Sequence, residues 1–202
     1  PAGIGPEIVV KALQDERVRQ SVRPVVYADR ACLEQTLGML GVEMELNVVS
    51  APGEGVDADG VIDYVDVGSL DGPSDYGQIS AAGGQAGYAY LQAAIDAALA
   101  GDVVGLATAP LNKESLQAGQ VPFIDHTAVL MDRAAHREAM TLFVVRSLRI
   151  FFLTRHISFR EIADAITREG IVEALPLCEL YLRQLGIDRP KIAVAALNPH
   201  GG

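Results

Sequence analysis

Cysteine is scarce in this chain, and the two present, Cys32 and Cys178, stand far apart with no cysteine or histidine close by in sequence. Neither belongs to a short metal-binding motif, so both are read as plain packed or surface thiols outside the chemistry. Long hydrophobic runs are missing as well. No apolar stretch approaches the roughly 20 residues that cross a bilayer, and the opening PAGIGPEIVVKAL lacks the basic start and long apolar centre of a secretion signal. Both absences point to a cytoplasmic protein. No basic block occurs either. The 16 Lys and Arg face 26 Asp and Glu, a net charge of −10, which disfavours nucleic acid as a partner. Repeats, low-complexity tracts and flexible linkers are also lacking, so any domain boundary must be a crossing of the chain near residues 110–125.

What is present suits one or two compact units with a substantial core: 202 residues, 50% hydrophobic and 21% charged. Residue 1 is Pro rather than Met, and the chain closes on the loop-like LNPHGG directly after an apolar strand pattern. The expectation is a chain cut at both ends.

Periodicity predicts alternating helices and strands. EIVVKALQDERV carries apolar residues at helical spacing, RPVVYA is a short β-rich run, and ACLEQTLGMLG is helical with Gly41 as its stop. VIDYVDV predicts a strand between two turn-rich loops. AGYAYLQAAIDAALAG is an Ala-rich helix ended by Gly101, and VVGLATAP predicts a buried strand ending at Pro110. In the second half, MTLFVVRS and LRIFFLT read as adjacent strands joined at Ser147, a candidate hairpin. ISFREIADAITREG predicts a helix capped by Ser158 with Glu161 completing a capping box. IVEALPLCELYLRQLG predicts a helix interrupted at Pro176, and PKIAVAALNP a last strand.

Three of the four histidines then share a position. His126, His156 and His200 each follow the end of a β-rich run or the loop after it, whereas His136 lies inside the helical AVLMDRAAHREAM and reads as a surface residue. Loops at the carboxyl edge of an open α/β sheet converge and carry ligands. Converging neutral imidazoles without paired Cys are common ligands of a divalent transition metal. Taken singly, each is equally well a loop histidine bonded to backbone, and their separations match no short metal motif.

The motifs PAGIGPE at the N-terminus, TAPLNK at 108–113, DHT at 125–127, TRH at 154–156 and LNPH at 197–200 run in one order along the whole chain. Together they resemble the 4-hydroxythreonine-4-phosphate dehydrogenase family, associated with pyridoxine biosynthesis. The resemblance implies an α/β fold like isocitrate and isopropylmalate dehydrogenases, with two α/β domains and an active site in the cleft between them. The first domain would span 1–112, its C-terminal part missing, and the second, incomplete, 113–202 with the substrate and metal residues. It also implies a homodimer, oxidation by NAD or NADP, and one divalent ion (Zn, Mg, Mn or Co). Carried over by position, His126 and Thr127 contact substrate, His156 and His200 are two of three metal ligands, and the third would lie beyond Gly202. Lys113 would lie in the same cleft and is the candidate catalytic base if burial lowers its pKa; otherwise it is a solvated lysine at a helix start. GIGPE is not a dinucleotide fingerprint, because Ile8 stands where Gly or Ala is needed. Its glycines let the backbone turn tightly at a helix start, where free N–H groups favour an anion.

Departures from the family pattern surround the substrate. Asp125 replaces the common Gly before the His-Thr pair, Ala128 replaces Glu after it, and Arg155 stands where a second Thr is common. They suggest a paralogue acting on a 4-phosphorylated threonate or erythronate, or on a cis-dihydrodiol carboxylate, with Asp125 selecting among acids. The implied reaction oxidises a substrate hydroxyl, with decarboxylation if the product is a β-keto acid. Two other classes stay open: a non-redox transferase or binding protein for a phosphorylated metabolite, and an inactive homologue.

Overall fold

A computed structural model describes residues 1–134, 139–155 and 157–199. The chain forms two compact units, Pro1–Arg137 and Glu138–Gly202.

The first unit is built on a parallel sheet with strand order β1-β3-β2, where β1 is Val26–Ala28, β2 Glu45–Val48 and β3 Val61–Asp66. The register pairs Val26 with Tyr64 and Glu45 with Val61. β3 has a partner on each side, and Ile62 and Tyr64 on it are fully buried. They join Val10 and Leu13 of α1 (Gly5–Leu13) and Leu33 and Leu37 of α3 (Arg30–Leu40) in one core. This is the α/β organisation expected from periodicity. α3 stops at Gly41 and α4 (Ala81–Ala100) stops at Gly101, each in the left-handed conformation that glycine adopts without penalty. A second cluster forms where Leu91 and Ile95 of α4 meet Val129 of α6 (His126–Arg133), with Leu106, Leu111 and Phe123 packed around them.

Several local expectations fail for identifiable reasons. The first helical pattern is two helices, because Asp15 accepts from Arg17 N–H at 2.9 Å and starts α2 (Glu16–Ser21). β2 was not anticipated, although MELNV alternates in the manner of a half-buried strand. VVGLATAP is not a buried strand: residues 103–110 are irregular and Val104 is fully exposed. A β-rich run becomes a strand only where a neighbour completes its ladder, and among the described residues none pairs with this one. The same holds for PKIAVAALNP, which is irregular and mostly exposed through residue 199. Residues 113–133 pack through α5 (Lys113–Ala118) and α6 on α4 of the first unit.

In the second unit, β4 (Leu142–Val145) and β5 (Leu148–Phe151) form the antiparallel hairpin read at Ser147, with Leu142 opposite Phe151. Arg146 takes the turn at φ 54°. Glu161 accepts from both the N–H and the hydroxyl of Ser158, as a capping box requires. The helix beyond it, α7 (Ile162–Ala165), is nonetheless a single turn, because Thr167 accepts from Gly170 N–H at 3.0 Å and starts α8 (Arg168–Gln184). α8 runs through Pro176 rather than breaking there. A proline inside a helix removes one hydrogen bond and crowds the preceding turn, and the burial of Cys178 and Leu182 beyond it offsets that loss.

Candidate active site at the starts of α5 and α6

The TAPLNK segment is held from two sides. A Cβ on Gly5 would lie 3.2 Å from Ala109 Cβ and 3.6 Å from the Pro110 carbonyl oxygen, so the GIG turn runs directly against residues 109 and 110. On the other side Asn112 ends the irregular stretch by accepting from Ser115 N–H at 2.7 Å, the cap that opens α5. α5 then docks onto the amino end of α4. Buried Ser115 accepts from Ser80 N–H at 3.2 Å, Gln85 Nε2 donates to the Gly119 carbonyl at 3.2 Å, and Ser80 caps α4 at Gly83 N–H. Lys113 is exposed on the first turn of α5.

α6 begins in the same way. Asp125 Oδ1 accepts from Ala128 N–H at 2.9 Å, so its carboxylate is turned onto the helix start. His126 is half-buried and Thr127 is exposed. The ring of His126 reaches back to Ala109: Nε2–H donates to the Ala109 carbonyl oxygen at 3.0 Å. Val129, one turn on, is 1% exposed against Leu91 and Ile95, and Arg133 is paired with Asp96. Parts of three of the motifs singled out in the sequence therefore meet in one unit: Gly5, Ala109 with Pro110, and His126.

The loop between β3 and α4 is also fixed. Asp29, 3% exposed at the end of β1, accepts from Ser69 N–H at 2.8 Å and from the Tyr90 hydroxyl at 2.7 Å. Burial, and then the hydrogen bond to Asp29, push the Tyr90 hydroxyl far above its ordinary pKa. Gln35 exchanges two hydrogen bonds with the backbone of Ser74, and Tyr76 bonds Thr36 at 2.8 Å. Asn112, Ser115 and Asp29 are structurally central and were not singled out from sequence. Asn112 was legible, since it stands immediately before a helix whose first turn carries Glu114. Asp29 likewise stands immediately before α3, although its carboxylate bonds Ser69 and Tyr90 rather than capping that helix, and Ser115 gave no local signal.

His156 and His200, the metal ligands implied by resemblance, lie outside the described residues, as does His136. Among the described residues no group of three or more His, Cys, Asp or Glu is placed to hold a metal ion. Arg155, beside His156 in sequence, donates to Thr141 Oγ1 at 2.5 Å and to the Ala139 carbonyl at 3.5 Å. No helix among the described residues is long and apolar enough to cross a membrane.

Residues 20–202 match the family described as "Pyridoxal phosphate biosynthetic protein PdxA". Among curated relatives, proteins provisionally named D-threonate 4-phosphate dehydrogenase are 37% identical in Clostridium botulinum (strain Hall) and 40% identical in Symbiobacterium thermophilum, each over 203 residues. Both alignments cover 100% of this chain and 61% of the relative. Among solved structures, a 4-hydroxythreonine-4-phosphate dehydrogenase from Burkholderia phymatum superposes with a TM-score of 0.90 at 34% identity, and one from Klebsiella pneumoniae with 0.89 at 30%. Each covers 100% of this chain and 61% of the solved one, so the chain spans about three fifths of the length of these proteins. The match of residues 20–202 to the family model shows that this chain belongs to the PdxA family.

Proposed function

We propose that this chain is part of a metal-dependent NAD(P) oxidoreductase that oxidises the hydroxyl of a small phosphorylated hydroxy acid. The observation that carries the reading is the contact between His126 and the Ala109 carbonyl, which joins the DHT segment to TAPLNK beneath the GIG turn. In this reading His126 and Thr127 hold the anionic substrate, which an imidazole and a hydroxyl can both do by donating to phosphate or carboxylate oxygens. Lys113, exposed on the adjacent first turn of α5, would face the anionic substrate as a cation, and the role of base at the substrate hydroxyl would require that the rest of the assembled site hold it neutral.

His156 and His200 would hold the divalent ion, since imidazole nitrogen suits such an ion by donor chemistry. The ion would supply Lewis acidity at the substrate hydroxyl, and the nicotinamide would accept the hydride. Where the product is a β-keto acid, it goes on to lose carbon dioxide. The proposal also includes a cytoplasmic homodimer and an isocitrate-dehydrogenase-like pair of α/β domains.

Among acids of this type we favour a 4-phosphorylated threonate or erythronate. The relatives named for D-threonate 4-phosphate align over the whole of this chain at 37% and 40% identity. The positions where this chain departs from the commonest family pattern, Asp125, Ala128 and Arg155, flank the histidine motifs. The test is to mix the full-length protein with a divalent ion, NAD or NADP, and 4-hydroxythreonine 4-phosphate or D-threonate 4-phosphate in turn. Nicotinamide reduction with the threonate preferred is expected. Binding of either compound without any reduction would favour a non-redox transferase or binding protein.

A further inference from the structure

His126 has two ring nitrogens, and the fold occupies one of them. Nε2 lies 3.0 Å from the Ala109 carbonyl oxygen. A carbonyl oxygen can only accept, so Nε2 carries the hydrogen. Among the described residues no hydrogen bond ends on Nδ1. Nor is Nδ1 one of the buried side-chain atoms without a partner, which among the described residues are Arg19 Nε and Tyr64 Oη. The ring is half-buried, so Nδ1 is reached by solvent and can be reached by a small ligand.

The backbone holds this pose. Asp125 caps α6 at Ala128 N–H, which fixes residue 126 at the first helical position. Val129, buried against Leu91 and Ile95, keeps the helix from rolling. On the other side Ala109 is pressed against the turn at Gly5. Both ends of the His126–Ala109 bond are thus set by packing independent of any ligand.

We propose that His126 engages the phosphorylated hydroxy acid through Nδ1, with the Ala109 carbonyl as the positioning group that orients the ring through Nε2–H. This rests on the reading of His126 as a substrate-binding residue. The neutral ring then offers a lone pair at Nδ1, which accepts from a substrate hydroxyl. The imidazolium offers Nδ1–H, which donates to a phosphate or carboxylate oxygen. Neither state requires the ring to flip, since Nε2–H stays on Ala109 in both.

Two isosteric substitutions separate the nitrogens. The amide of His126→Asn falls near Nδ1 and is too short to reach Ala109, whereas that of His126→Gln falls near Nε2 and can keep the Ala109 bond. Both are compared with His126→Ala in the full-length protein, using D-threonate 4-phosphate and 4-hydroxythreonine 4-phosphate, with kcat and KM measured separately. Nitrogen-15 NMR of the ring reports its tautomer with no turnover involved. His126→Ala is expected to lower kcat/KM by about tenfold to a hundredfold, the range for losing a hydrogen bond to a charged group. His126→Asn should recover most of that loss, chiefly in KM, while His126→Gln should not, and the neutral ring should carry its proton on Nε2. Recovery by His126→Gln equal to or greater than that by His126→Asn overturns the proposal, as does a neutral ring protonated on Nδ1. An unchanged kcat/KM in His126→Ala is a different failure: it removes the substrate-binding role of His126 itself, and the proposal with it.

Discussion

Gly84 of α4 faces the backbone carbonyl of Ser115 so closely that a Cβ there would lie 1.9 Å from the oxygen and 2.4 Å from the carbon. The crossing of α4 and α5 therefore exists only because residue 84 has no side chain. Ser115 is, with Leu116, one of the two buried residues of the turn that Lys113 begins. Gly84→Ala must push α5 away from α4 or bend it. Overpacking of this kind costs about 1–3 kcal/mol, and sometimes more, measurable as a lower urea midpoint. A midpoint within error of the parent would mean that α5 is not held where the structure puts it.

Asp63 carries a stability that depends on acid. It is 6% exposed on β3 and accepts from Asn47 Nδ2 at 2.7 Å, Asp57 N–H at 3.0 Å and Val56 N–H at 3.1 Å. Burial by itself raises its pKa, but the three hydrogen bonds outweigh burial and hold the carboxyl below its usual value. The folded pKa is lower than the unfolded one, so the stabilisation is fully present above the unfolded value of about 3.9. It is lost as pH falls through the folded value. Asp63→Asn should be less stable near neutral pH by about 1–3 kcal/mol and should show a flatter stability profile below about pH 4. Parallel profiles for parent and variant would refute the assignment.

Asp125 has a structural role that its place beside a substrate motif conceals. Its carboxylate accepts from Ala128 N–H at 2.9 Å, so Asp125→Ala should destabilise α6 by about 0.5–2 kcal/mol and Asp125→Gly by only a few tenths. Thermal or urea unfolding distinguishes them. Asp125→Gly keeps the helix start and removes the charge, which makes it the cleaner variant for substrate choice. The expected outcome is a changed ratio of activities among phosphorylated hydroxy acids. An unchanged ratio would leave Asp125 as a cap alone.

The metal proposal is tested at His156 and His200. Replacing either with Ala in the full-length protein should abolish metal-dependent turnover and lower the bound metal measured by elemental analysis, while the folded state survives. Stoichiometric metal retained in both variants would show that the ligands are elsewhere.

Much of this fold was legible because it is locally encoded. The ends of α3 and α4 follow from Gly41 and Gly101, the hairpin from two β-rich runs meeting at Ser147, and the Ser158–Glu161 box from spacing alone. The family was legible too, since five short motifs in fixed order need no structure to be recognised. Other features depended on partners distant in sequence. VVGLATAP and VIDYVDV look alike as apolar β-rich runs, yet only the second lies between two neighbours, β1 and β2, that complete its ladder. Pro176 reads as a helix break, and packing on its far side decides otherwise. The family resemblance proposes His126 as a site residue, but no local pattern states which of its nitrogens is free. That is decided by the Ala109 carbonyl, because a hydrogen bond between residues so far apart in sequence exists only once α6 and the turn at Gly5 have both been packed into place.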